Sequence, residues 1–279
     1  MSRLFGLVLA QLVIGGVSLL LLVPLRTLGR RFFRTCTWIF LAILLFSYWL
    51  QPPPEGYTRL GSLFSQGLWA TWEGREFGGL SLYLLLIFLH LVSLYAWGDR
   101  LVRGLLGLSV ACGAFVLFSN SAVMTTVDMS SLQAGLLPVN FFLSALALGT
   151  VFTGMLFGHW YLVDPDLPLG LIHRFSWLLV AVLVAQGVAL ISFVVFGFEP
   201  RHFAAVWGEG VLFSSWGVFF WGRALFGLLG TLLVALVILY SLRIHATRTA
   251  TGFFYIAILT VFTGELMGRF ILFLVAVPV

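Results

Sequence analysis

Charge is what this chain has least of: 9% of its 279 residues are charged, where a soluble globular domain carries about 25%. With 61% hydrophobic residues and a mean hydropathy of +1.10, a water-soluble fold is excluded. Lysine is absent, all fifteen basic residues being arginine against ten acidic ones. The resulting net charge of +5 does not point to nucleic acid, because basic residues in a polytopic membrane protein mainly set orientation at the cytoplasmic face. Cysteine is nearly absent too. Cys36 and Cys112 stand far apart without a C-x-x-C partner, so neither an iron-sulfur cluster nor a zinc site is built from this chain alone. No metal is expected in the chain, and any metal redox centre belongs to a partner. The first apolar run lacks a small-residue cleavage signature and continues into an arginine cluster, so it reads as a retained helix and not a removed signal. No repeat, low-complexity tract or long linker is visible, and the expectation is a single polytopic membrane domain over 1–279, all α.

What is present is apolar sequence in membrane-sized blocks. Runs fall at about 4–25, 35–50, 80–98, 101–119, 136–162, 175–198, 214–240 and 252–276, each near the roughly 20 residues that cross a bilayer. The second is short, because Gln51-Pro52-Pro53-Pro54 stops it, and it needs local thinning or a helical extension at its start. Arg26, Arg30, Arg31, Arg34, Arg100, Arg103, Arg174, Arg243 and Arg248 fall in alternate loops, against Arg3, Arg59, Arg75 and Arg201 on the other side. The positive-inside rule then puts both termini outside the cytoplasm. The longer connections 51–79, 120–135 and 198–211 become outer, with Glu55, Glu73, Glu76, Asp128, Glu199 and Glu209 among them. Trp49, Trp69, Trp72, Trp207, Trp216 and Trp221 cluster near that face, as interfacial indoles do. The location implied is the cytoplasmic (inner) membrane of a bacterium or archaeon.

An ionisable side chain inside hydrocarbon is costly unless paired or beside water, which makes each one a functional candidate. Gly264-Glu265-Leu266-Met267-Gly268-Arg269 places a carboxylate and a guanidinium at i, i+4, where they pair. The same segment also reads as a packing face through Gly264 and Gly268. Arg223 near the outer end of the seventh run and Arg269 in the outer half of the eighth sit at similar depth. Two arginines against one glutamate call for a further acceptor: a loop carboxylate, a backbone carbonyl or a quinone oxygen. Gln11 with Gly15-Gly16, and Asn140, are polar groups of the outer half that also suit helix-helix hydrogen bonds. His90 is mid-span and His159 ends the fifth run. A b-type haem needs two facing histidines at comparable depth, and these differ by about a turn, so haem b is not expected. The inner segment Asp164-Pro165-Asp166-Leu167-Pro168 with His173-Arg174 collects protonatable groups, yet such turns need no function.

The closing helix, Phe253-Phe254-Tyr255 running into Gly264-Glu265-Leu266-Met267-Gly268-Arg269-Phe270, resembles that of the dimethyl sulfoxide reductase membrane anchor (DmsC) family, among the NrfD-like quinone-interacting membrane subunits. Trp72-Glu73-Gly74-Arg75-Glu76 is similar to that family's W-x-x-R-E signature ahead of the third span. Arg223 after Trp221, and Gln11 with Gly15-Gly16, resemble its seventh- and first-helix patterns. The resemblance implies an anchor holding a four-cluster iron-sulfur subunit and a catalytic subunit, with molybdopterin or another redox group, on the outer face. It implies exchange of electrons with menaquinone or ubiquinone, with no nucleic acid among the partners. Glu76 carries over as the acidic residue of quinol oxidation, Trp72 and Arg75 as partner contacts, and Arg223, Glu265, Arg269, Gln11 and His90 as quinone-binding candidates. The family's H-L-G segment is missing: Gln51 to Arg59 contains no histidine, which leaves the proton-accepting role to Glu76, Tyr57 or His90. The sequence leaves two other readings open, a stand-alone transporter and a b-haem-carrying membrane subunit.

Overall fold

The computed structural model describes residues 2–54, 69–125, 131–164, 169–196 and 217–275. It is 93% helical, with no strand among the described residues. Eight helices are long and apolar enough to cross a membrane: α1 (Ser2–Leu22), α2 (Leu25–Leu50), α3 (Trp72–Ala96), α4 (Asp99–Met124), α5 (Ser131–Val163), α6 (Gly170–Phe196), α7 (Gly217–Arg243) and α8 (Thr247–Val275). The chain is an all-α integral membrane protein. Its helices divide into two compact units, Met1–Val123 and Met124–Val279. Expectations that rest on Glu55, Tyr57, Arg59, Asp128, Pro165 to Pro168, Glu199, Arg201, Trp207, Glu209 and Trp216 lie outside the described residues.

In the first unit, α2 packs on both α1 and α3. Within α1, 83% of the apolar window is buried, so this helix is the centre of the unit. Close approach is made possible by small residues: the Phe40 ring lies directly where a Cβ on Gly16 would stand, and a Cβ on Gly113 would meet Ile14 at 2.8 Å and Tyr83 at 3.2 Å. Small residues at helix crossings are the usual substitute for a hydrophobic driving force in lipid. The outward face of α3 carries Leu82, Leu85, Phe88 and Val92, a lipid-facing stripe.

The short second apolar run is resolved by geometry. The helix starts at Leu25, and its axis is broken at Gly29, which adopts φ 68 and ψ 166. That conformation is open essentially to glycine alone. The polar residues Arg30, Arg31 and Arg34 are therefore helical, and they lengthen the span at its arginine-rich end. There the guanidinium forks do work a lysine would do less well. Arg34 donates to the Leu94 carbonyl at 2.8 Å, and Arg103 donates to the Leu21 and Val23 carbonyls at 2.9 and 2.8 Å. These carbonyls lie at the C-terminal ends of α3 and α1, where helices leave acceptors unpaired and the dipole favours cations. Arg30 and Asp99 close the same end at 2.6 Å.

In the second unit α5 lies between α6 and α8, while α7 packs on α8 and α6, a closed ring of four helices. α7 is not regular: residues Gly222–Gly230 form a π-helical stretch, a widened winding found most often at functional sites. Its Gly227 faces Gly264 of α8 so closely that a Cβ on Gly227 would stand 2.6 Å from the Gly264 Cα.

Candidate functional site

Polar chemistry gathers separately in each unit. In the second, Glu265 is 1% exposed and Arg223 and Arg269 are each 2% exposed. The i, i+4 pairing of Glu265 with Arg269 is present but long, at 3.9 Å. The short partner is Arg223 on α7, at 2.9 Å from Glu265 Oε1. The Gly227 and Gly264 crossing explains this reach: a Cβ on Gly264 would stand 3.4 Å from an Arg223 guanidinium nitrogen, so the side chain passes over bare backbone. Gln186 on α6 donates to Glu265 Oε1 at 2.8 Å. Arg269 turns instead to α5, donating to Ser144 Oγ at 2.7 Å and resting 3.8 Å over the Phe141 ring. Asn140 Oδ1 lies 3.4 Å from Ser144 Oγ. All four helices of the unit thus meet in one polar layer. Two guanidinium groups against one carboxylate leave it at +1, and Arg223 Nε, Arg269 Nε and Gln186 Oε1 have no hydrogen-bond partner among the described residues.

In the first unit the site is Glu76. Helix α3 starts eight residues ahead of the apolar run that begins at residue 80, because Thr71 caps it, accepting from the Gly74 N–H at 3.1 Å. Acidic residues in the first turns suit the helix N-terminus, so the charged stretch that ends the apolar run is still helical. Within it the side chains separate by face. Trp72 is 40% exposed, with the Arg75 guanidinium 4.5 Å over its ring and Arg75 Nε donating to the Trp69 carbonyl at 2.8 Å. Glu76 turns inward and is 4% exposed. Arg3 of α1 donates to Glu76 Oε2 at 2.8 Å, while Oε1 has no partner among the described residues.

No family model, curated protein or solved structure matches this chain. The site is therefore argued from its own residues.

Gln11 is fully buried with neither amide atom hydrogen-bonded among the described residues, and His90 is 1% exposed with the Val102 backbone beside its ring. His159 is exposed on α5. Among the described residues no three His, Cys, Asp or Glu side chains gather as a metal site. Three participants go beyond the residues that the sequence singles out. Arg3 reads there only as an orientation charge, and its role at Glu76 depends on how α1 packs. Gln186 interrupts the apolar stretch Val184-Ala185-Gln186-Gly187-Val188 and is visible as an intramembrane amide. Ser144 carries no sequence signal, since hydroxyls are common in spans.

Proposed function

We propose that the chain is the quinone-reactive membrane anchor subunit of a multisubunit oxidoreductase, exchanging electrons with a four-cluster iron-sulfur subunit on the outer face. That partner passes them to or from a catalytic subunit carrying molybdopterin or another redox group. The observation that supports this most is Glu76, a carboxylate in the first turns of α3 that is 4% exposed, tied by one oxygen to Arg3 and unpaired at the other. Quinol oxidation requires such a group: a base buried at the membrane edge, with a cation beside it to hold charge.

The residues fit a quinone headgroup on donor chemistry. Menaquinol or ubiquinol, when bound, supplies two electrons and two protons. Glu76 Oε1 accepts a hydroxyl proton, while Arg3 donates to Oε2 and fixes the carboxyl group in place. Separately, in the second unit, Arg223 Nε and Arg269 Nε are N–H donors that suit a carbonyl oxygen of a headgroup bound there, with Glu265 holding both arginines. Trp72, exposed, and Arg75, half-buried against it, are the surface beside Glu76 that a partner subunit meets. Electrons end on that partner, because Cys36 and Cys112 alone hold no cluster.

Purification of the tagged chain in mild detergent tests the reading. Recovery with a ferredoxin-like subunit, non-haem iron and extractable quinone is expected, and Glu76→Gln lowers quinol turnover roughly a hundredfold, the scale of a lost general base, with the complex still assembled. A solitary, iron-free and quinone-free protein overturns it. The second reading, a stand-alone transporter, is favoured by one observation, the π-helical stretch Gly222–Gly230 beside buried charges, since interrupted helices near mid-membrane mark transport sites; counterflow of labelled solute into proteoliposomes decides for it.

A further inference from the structure

One face of α3 carries three protonatable side chains at seven-residue spacing: Glu76, Tyr83 and His90. Seven residues bring a helix back to nearly the same face, about 10 Å further along the axis, so the three form a row through the membrane. They are 4%, 0% and 1% exposed. Glu76 Oε1 and the Tyr83 hydroxyl lack a hydrogen-bond partner among the described residues, and at His90 the Val102 backbone is the polar group beside the ring. A single unsatisfied group is an ordinary defect, but buried polar atoms are nearly always satisfied, by protein or by bound water. Three buried protonatable groups in register on one helix, two of them with an unsatisfied oxygen, call for a common explanation.

The neighbouring helices place polar groups in the gaps. Arg3 of α1 holds Glu76, and Ile14 of the same helix lies with Tyr83 beside Gly113. Gln11, with a free donor and a free acceptor, stands between those two points on α1. On α4, Gly113 marks the level of Tyr83 and the Val102 backbone lies against His90. Ser109, fully buried, stands between them and donates to the Leu105 carbonyl, leaving its oxygen free to accept. Beyond His90, Ser93 donates to the His90 carbonyl at 2.6 Å, and the half-exposed Asp99 pairs with Arg30 at the arginine-rich end.

We infer that the first unit conducts protons along α3, from Glu76 through Tyr83 to His90, over water held by Gln11 and Ser109. Proton relays are among the few uses of ionisable residues in spans. A proton arriving on Glu76 Oε1 passes to the Tyr83 hydroxyl as that hydroxyl releases its own proton towards Ser109. His90 takes the proton on one ring nitrogen and loses one from the other. Each transfer breaks one O–H or N–H bond and forms another, and no electron moves. The path needs neither quinol nor a partner subunit, so its fate is separate from that of the redox reading.

The test uses the full chain in vesicles of phosphatidylcholine and phosphatidylglycerol containing a pH-reporting dye, with a potassium diffusion potential as driving force. Wild type is expected to acidify the lumen faster than protein-free vesicles. Tyr83→Phe, which removes a single oxygen, slows this about tenfold, equivalent to about 1.4 kcal/mol on the highest barrier, and His90→Asn slows it as much. Trp38→Phe, on the lipid-exposed side of α2, leaves it unchanged. A wild type no faster than empty vesicles overturns the inference, as does a folded Tyr83→Phe that conducts at the wild-type rate. If Tyr83→Phe is not monodisperse in detergent, His90→Asn decides by the same criterion.

Discussion

Removing charge from the buried layer of the second unit separates an ion cluster set by charge balance from one set by packing alone. Glu265 holds Arg223 at 2.9 Å and Arg269 at 3.9 Å, so the layer stands at +1. Glu265→Gln raises it to +2 and leaves two guanidinium groups, each about 2% exposed, without a counter-charge. Arg223→Met instead brings the layer to zero, with Glu265 still facing Arg269 and Gln186. Breaking a buried pair by removing one partner costs about 3–5 kcal/mol. Glu265→Gln should lie at the upper end of that range, and Arg223→Met should lie about 1–2 kcal/mol below it, because it strands no charge. Reversible unfolding in mixed dodecylmaltoside and dodecyl sulfate micelles, followed by helical circular dichroism, reads both on one scale. A Glu265→Gln protein as stable as wild type, or an Arg223→Met protein less stable than Glu265→Gln, refutes the charge argument.

Other outcomes follow from the packing. Gly227→Ala drives a methyl into the Gly264 backbone, 2.6 Å away, and should destabilise by about 1–3 kcal/mol in the same assay, since neither helix has a side chain to move aside. Gly29→Ala meets no atom within 4 Å, so any loss comes from its φ of 68 and ψ of 166; about 1–3 kcal/mol is expected, and a neutral result means the bend there is not required. Arg30→Gln should cost no more than about 1 kcal/mol, falling with added salt, because its partner Asp99 is half exposed and such pairs are screened.

Span number and class were open to the sequence because each depends on local composition. A run such as 101–119 is apolar enough that only a membrane accommodates it, and every backbone polar group must then be satisfied within its own helix. The boundaries were less legible where charge and helix coincide. Glu73, Arg75 and Glu76 ended the apolar run, yet a helix N-terminus tolerates them and the Thr71 cap extends α3 across them. The opposite occurred at the second span, where hydropathy could not distinguish a loop from an arginine-bearing helix turned at Gly29.

The candidate residues divide on the same principle. Glu265 and Arg269 could be paired from sequence because i and i+4 lie on one face of any helix, and the expectation that Arg223 shares their depth is met at Glu265. That Arg223, four decades of residues earlier, would be the nearer partner is a matter of how closely α7 and α8 approach, which is decided at the Gly227 and Gly264 crossing. Arg3 and Glu76 are likewise joined only because the start of α1 comes beside the first turns of α3. The row of Glu76, Tyr83 and His90 is written in the spacing, but its meaning is not: heptad-spaced polar residues are usually satisfied, and only the packed unit leaves Glu76 Oε1 and the Tyr83 hydroxyl without a partner among the described residues. Composition and periodicity therefore determined that the chain is a membrane bundle and which residues share a helix face. Tertiary packing alone decided which buried charges are matched, because a charge's cost depends on what surrounds it and that is set by neighbours distant in sequence.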